Sequence, residues 1–172
     1  MSPVVLDCSA AIALVLPEEH SATVSQWLTS LPDDVEIIVP ALWWYESTNV
    51  LLTAVKRSRI SAVEAREAMA ALRAIPQRTD ENPSPVTAMH LFHVGLGQSI
   101  TAYDAAYLTL AELSGGTLLT VDETLATAAR AMQIVVAPAS GSNPSVRSSS
   151  RISDGSESTP ATTRPSVTGR SG

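Results

Sequence analysis

Four acidic residues stand at places where a carboxylate is hard to explain by solubility alone. Asp7 ends the run Val4-Val5-Leu6, and Asp122 ends the run Leu118-Leu119-Thr120-Val121. Glu46 lies inside Trp43-Trp44-Tyr45-Glu46-Ser47-Thr48-Asn49-Val50-Leu51, and Asp104 is the sole charge between Val94 and Glu112. A charge set among apolar neighbours needs a partner or a task. The chemistry that wants four carboxylates and little else is phosphodiester hydrolysis with a hard divalent cation. Mg²⁺, with Mn²⁺ able to substitute, prefers carboxylate and water oxygens, lowers the pKa of a bound water and neutralises charge on the leaving oxygen. Each acid also has a plain structural use. An acid in a helix's first turn faces the positive end of the dipole, which suits Glu46 and Asp104, and an Asp before a helix caps it, which suits Asp7 and Asp122. Any one of them alone is explained that way; four together argue for a site.

The elements that must position them can be read from periodicity. Val4–Leu6, Ile37–Val39, Thr117–Val121 and Gln133–Val136 are β-branched or apolar enough for buried strands. Helical patterns run over Ser9–Leu16, Ser21–Leu31, Ala41–Lys56, Ser61–Ile75, Ser84–Val94, Thr101–Ser114 and Glu123–Met132. Ser61 with Glu64 forms a capping-box pattern, Ser84-Pro85 an N-cap followed by proline, and Gly115-Gly116 a helix stop. Strands apolar on both faces and separated by helices predict an α/β protein: a three-layer α/β/α sandwich with a central, mainly parallel sheet. Ligands of such sheets gather at the carboxyl ends of strands, where Asp7 and Asp122 stand.

With 172 residues, 45% of them apolar, the chain suits one domain with a real core. Composition changes after Val136. Residues 1–137 are expected to fold, and 138–172, rich in Ser, Thr, Pro and Arg, to be a disordered tail. The tail holds Arg147, Arg151, Arg164 and Arg170 against Asp154 and Glu157, suited either to a weak accessory RNA contact or to nothing more than a solvated extension or fusion scar. A single cysteine, Cys8, excludes an internal disulfide and makes a cytoplasmic setting the default. The apolar stretch around residues 4–16 is broken by Asp7 and Ser9, so neither a signal peptide nor a membrane span is expected.

The net charge of −6 is awkward for a protein that meets nucleic acid. Bound divalent ions answer the difficulty, because metal rather than lysine would then face the scissile phosphate. Lys56, Arg57 and Arg59 form the densest basic cluster before the tail. They suit contacts to flanking phosphates, or merely the negative end of the helix that carries Glu46. Trp43 and Trp44 suit core packing or a partner groove or dimer face. Cys8 reads as a small packed side chain, and His20, His90 and His93 lack ligand spacing.

Taken in order, VVLDCSAAIALVLPEE, WWYESTNVLLTAVKR and ITAYDAAYLTLAELSGGTLLTVDETLATAAR resemble the PIN-domain family, and within it the VapC-like toxins of toxin–antitoxin pairs. The resemblance spans about residues 3 to 136. Asp7-Cys8-Ser9 matches the family's Asp-x-Ser, and Glu46 with Asn49 its Glu followed by Asn. Tyr103-Asp104-Ala105 and Thr120-Val121-Asp122 match the two later acidic motifs. The resemblance implies a metal-dependent endoribonuclease with Asp7, Glu46, Asp104 and Asp122 as catalytic metal ligands. Ser9, Asn49 and Thr120 would support them, Ser9 by holding a metal-bound water or simply as an N-cap. It further implies an RNA substrate, a homodimer and a cognate antitoxin protein. A non-catalytic PIN-like module that binds RNA or protein is the alternative. A haloacid-dehalogenase-type phosphatase would need a second Asp at position 9, where Ser9 stands, and a downstream lysine where none exists beyond Lys56. Gly95-Leu96-Gly97 follows no strand, so no dinucleotide fingerprint is present.

Overall fold

The structure is a computed structural model that describes residues 2–16, 19–80 and 84–138. The proposed tail, Pro138 apart, lies outside the described residues. In chain order the elements are β1 (Val4–Leu6), α1 (Cys8–Val15), α2 (Ser21–Thr29), β2 (Ile37–Pro40), α3 (Leu42–Lys56) and α4 (Ala62–Ala74). They continue with β3 (Gln77–Asp80), α5 (Pro85–Gln98), α6 (Ala102–Ser114), β4 (Thr117–Leu119), α7 (Glu123–Ala131) and β5 (Val136–Ala137). The five strands form one sheet in the order β3-β2-β1-β4-β5, and every neighbouring pair is parallel.

That order makes β1 the point from which the chain winds first one way and then the other. Parallel crossovers are right-handed, so the helices used on the way out to β3 and those used on the way back cover opposite faces. α1, α3 and α4 pack on one another with α2 against α1, while α6 lies across β2, β1 and β4 beneath α5. The result is the three-layer sandwich. β1 is buried on both faces, with Val5 and Leu6 wholly inaccessible, as are Ile38, Val39, Leu118 and Leu119 in its neighbours. Each such side chain contributes about 1.5–3 kcal/mol by leaving water.

The anticipated end signals are present. Ser61 Oγ accepts from the Glu64 amide at 3.2 Å and Glu64 Oε2 accepts from the Ser61 amide at 2.7 Å. Ser84 caps α5 ahead of Pro85, and Gly115 ends α6 in the left-handed region, φ 61°. A Cβ at Gly116 would lie 2.9 Å from the Pro3 carbonyl oxygen, so β4 can enter beside β1 there only without a side chain.

Three local expectations change. β3 has no apolar signature, because Gln77-Arg78-Thr79-Asp80 is an edge strand held by its ladder to β2 and by surface groups. Arg78 pairs with Glu36 at 2.6 Å, and Trp44 Nε1 donates to Thr79 Oγ1 at 3.1 Å. α5 runs on past Val94 to Gln98 and stops at Ser99, φ 55°. β4 ends at Leu119 and β5 covers only Val136–Ala137, so Asp122 stands three residues beyond its strand rather than at its tip. Among the described residues no helix is long and apolar enough to cross a membrane.

Candidate active site

Asp7, Glu46, Asp104 and Asp122 line one open cleft of about 420 Å³, together with Cys8, Ser9 and Asn49. Residues spread over more than a hundred positions meet because β1 and β4 are adjacent and diverge in their crossovers, which opens a crevice at their carboxyl ends. Asp7 is the N-cap of α1, Asp122 the N-cap of α7, and Asp104 the third residue of α6. Helix N-termini thus face the cleft, and their positive ends partly offset repulsion among the carboxylates.

The capping uses are real and coexist with the cleft. Asp122 Oδ1 accepts from the amides of Thr124 at 2.7 Å and Leu125 at 3.0 Å. Asp104 forms a capping box with Thr101: its amide donates to Thr101 Oγ1 at 3.1 Å, the Thr101 amide donates to Asp104 Oδ2 at 3.3 Å, and Thr101 Oγ1 adds a donation to the same oxygen at 2.7 Å. Glu46 is different. It is the fifth residue of α3, past the first turn, so the helix-starter role does not apply.

Asp7 is 5% exposed and is held by hydroxyls. Its Oδ2 accepts from Thr120 Oγ1 at 2.8 Å, from the Ser9 amide at 3.2 Å and from Ser9 Oγ. Thr120 Oγ1 also accepts from the Asp122 amide at 3.0 Å, and Ser9 Oγ accepts from the Val121 amide at 3.1 Å. One small network therefore ties the loop after β1 to the loop after β4. Burial pushes the Asp7 carboxyl up, against the opposing pull of the Ser9 and Thr120 hydroxyls. Glu46 is likewise pushed up by burial and by the charges of Asp7 and Asp104, while the hydrogen bond from Tyr107 opposes the rise. The Cys8 thiol, buried beside Ser47 at 3.6 Å, is pushed up to about 12 by burial.

A hard divalent cation fits the four carboxylates and the Ser9 hydroxyl of this cleft, whose one thiol, Cys8, is buried. Among the described residues no three His, Cys, Asp or Glu side chains cluster tightly enough to enclose an ion. An open cleft with spare volume suits Mg²⁺, which usually keeps several of its waters.

The family model for the PIN domain matches residues 4–131. The chain belongs to the PIN-domain family. It is VapC-like within it: the chain is 31% identical over 122 residues to Ribonuclease VapC3 of Pyrobaculum aerophilum, covering 71% of this chain and 91% of that protein. Two solved structures share the fold. PAE2754 from Pyrobaculum aerophilum superposes with a TM-score of 0.60 at 24% identity, over 78% of this chain and 83% of its own. VapBC2 from Rickettsia felis, bound to a DNA fragment from their promoter, superposes with a TM-score of 0.58 at 11% identity, over 77% and 96%.

This PIN domain also holds residues that spacing does not reveal. Tyr107, 1% exposed, donates its hydroxyl to Glu46 Oε2. Its position one helical turn after Asp104 was the available sign, since residues three apart share a helix face. Ser47, fully buried behind Cys8, is a second. Trp43 is packed in the core, edge-on to the half-buried Trp44 at 4.7 Å. Lys56, Arg57 and Arg59 are exposed at the far end of α3, outside the cleft lining, about 15 Å along the helix from Glu46 at 1.5 Å per residue.

Proposed function

We infer that this PIN domain is the endoribonuclease toxin of a VapC-type toxin–antitoxin pair, hydrolysing RNA at the cleft formed by Asp7, Glu46, Asp104 and Asp122. The observation that carries the reading is that four acids from four separate segments line one cleft at the divergence of β1 and β4. Kinship with Ribonuclease VapC3 supports the activity.

Asp7, Glu46 and Asp104 are the residues to hold Mg²⁺ or Mn²⁺, with Asp122 steadying a second ion or its waters. The cation supplies charge neutralisation at the phosphate and lowers the pKa of water. The chain's own work is positional. Ser9 and Thr120 hold Asp7 through its Oδ2, Thr101 holds Asp104, and the α7 amides hold Asp122 through Oδ1, so these three carboxylates are oriented before substrate arrives. Such preorganisation lets the acids meet developing charge without first rearranging. Asn49, which lines the cleft, would support the four acids there. Lys56, Arg57 and Arg59 would touch phosphates away from the scissile bond.

The partners follow the same reading. A cognate antitoxin with an apolar, Arg-bearing segment suits an acidic cleft, and the VapBC2 complex is a structural neighbour. The cytoplasm, where thiols stay reduced, suits the lone Cys8. A homodimer is supported by α5, which has no charged residue from Pro85 to Gln98. Its outward stripe of Val86, Met89, Phe92 and Leu96 is 57–81% exposed. An exposed apolar stripe of this kind marks a surface that another protein surface covers.

The test is cleavage of structured and single-stranded RNAs with Mg²⁺, Mn²⁺ or EDTA, beside Asp7→Asn and Asp104→Asn. Cutting that requires both metal and each acid is expected. Retained metal-dependent cutting by either variant sinks the assignment, and RNA binding without cutting by the unaltered protein favours the non-catalytic module.

A further inference from the structure

Glu46 is the one acid of the four that neither caps a helix nor sits in a capping box. Its side chain has more freely rotating bonds than an aspartate and starts from the fifth position of α3. Something else must hold it. Among the described residues its hydrogen-bond donor is the Tyr107 hydroxyl, which reaches across from α6. The Tyr107 ring is 1% exposed among core residues, so the position of its oxygen is set by packing rather than by solvent. A phenylalanine would fill that space without the cost of burying a hydroxyl, and the hydroxyl finds its partner in a carboxylate of the cleft.

We propose that Tyr107 is a positioning residue which fixes Glu46 in its metal-holding orientation, so that α6 governs two of the four acids, Asp104 directly and Glu46 through Tyr107. The two residues lie three apart on α6, and the helix therefore presents both to the same side. Carboxylates that ligate metal depend on the groups that orient them, and loss of such a group typically costs about 10–100-fold in metal affinity or activity. The inference rests on the reading that Glu46 binds the cation.

Tyr107→Phe removes one oxygen and keeps the ring, and circular dichroism in EDTA checks that the fold is retained. Mn²⁺ titrations followed by the electron paramagnetic resonance of the free ion would compare the full chain with Tyr107→Phe, Glu46→Ala and the double variant. The expected result is Mn²⁺ binding weakened about 10–100-fold in Tyr107→Phe, with no further weakening when the same change is made in Glu46→Ala. RNA cleavage by Tyr107→Phe should show a lower kcat at an unchanged KM. Binding within twofold of the parent, alongside a weakened Glu46→Ala, would overturn the positioning role and leave Glu46 as a ligand. Additive losses in the double variant would overturn it too, because the Tyr107 hydroxyl would then act independently of Glu46. Unaltered Mn²⁺ binding by Glu46→Ala would remove the ligand reading and this inference with it.

Discussion

Thr120→Val tests whether hydroxyls, rather than packing, hold Asp7 in place. The two side chains are nearly the same shape, and Thr120 is 4% exposed, so the change leaves the volume intact and deletes the polar contacts of one hydroxyl. These are the 2.8 Å donation to Asp7 Oδ2, the 3.0 Å acceptance from the Asp122 amide and a 3.2 Å contact with Ser9 Oγ. A hydrogen bond to a buried charged group contributes about 1.5–3 kcal/mol. The Asp122 amide is only partly buried and can turn to water, so the net loss expected at pH 7 without metal is about 2–3 kcal/mol. For a chain of this size that lowers Tm by about 5–10 °C. The loss should depend on pH with a defined sign. Burial already holds the Asp7 carboxyl above its ordinary value of 3.8, and the Thr120 hydroxyl pulls it back down. Deleting that hydroxyl makes the folded anion dearer still. The Asp7 share of the penalty is then full above the variant's folded pKa and fades as pH falls below the parent's, where folded Asp7 is protonated in both proteins. Urea unfolding in EDTA at pH 7 and near pH 4 measures both values. A loss within about 0.5 kcal/mol at pH 7, the level of an ordinary surface change, or an equal loss at both pH values, would refute the reasoning.

The unaltered protein carries a related signature: burial raises both Asp7 and Glu46. The stability that these two contribute is therefore full below 3.8 and 4.5 and is lost as pH rises through their folded values, so metal-free protein should gain their contribution on acidification from pH 7. Saturating Mn²⁺ should reverse that trend, since acid then competes with the cation, and thermal melts with and without EDTA check it. Cys8, buried and pushed up to about 12, should resist a disulfide reagent at pH 8 in the native state and react at once in denaturant; fast native labelling would show that the loop after β1 opens. If α5 forms the proposed dimer interface, Leu96→Glu on its 71% exposed outer stripe should yield a folded monomer by light scattering where the parent gives a dimer mass. An unchanged dimer mass would move the interface elsewhere.

Much of the fold was legible because local chemistry and global placement agree. β1 and β2 were readable from β-branched runs, since a strand buried on both faces has to be apolar throughout. Ser61, Ser84 and Gly115 marked helix ends by mechanisms confined to one turn. β3 was not readable, because an edge strand of Gln77, Arg78, Thr79 and Asp80 owes its conformation to β2 beside it. Among the acids, Asp7 and Asp104 stood out by contrast with apolar neighbours. The distance of Asp122 beyond β4 and the second-turn place of Glu46 depended on where β4 ends and α3 begins, and terminal residues are the least certain part of any such reading.

By itself the sequence determined the donor chemistry: four carboxylates, hydroxyls at Ser9 and Thr120, and no competing cysteine or histidine cluster. It also determined the alternation of strands and helices that makes a parallel sheet unavoidable. Tertiary structure alone decided that β1 lies beside β4, which brings Asp7 within reach of Thr120 across 113 positions. It likewise decided that a tyrosine of α6 should end at a glutamate of α3, 61 positions away. Patterning reports which side of an element is apolar, whereas strand order and helix crossing choose which buried groups meet, and those choices are made by packing the whole core at once.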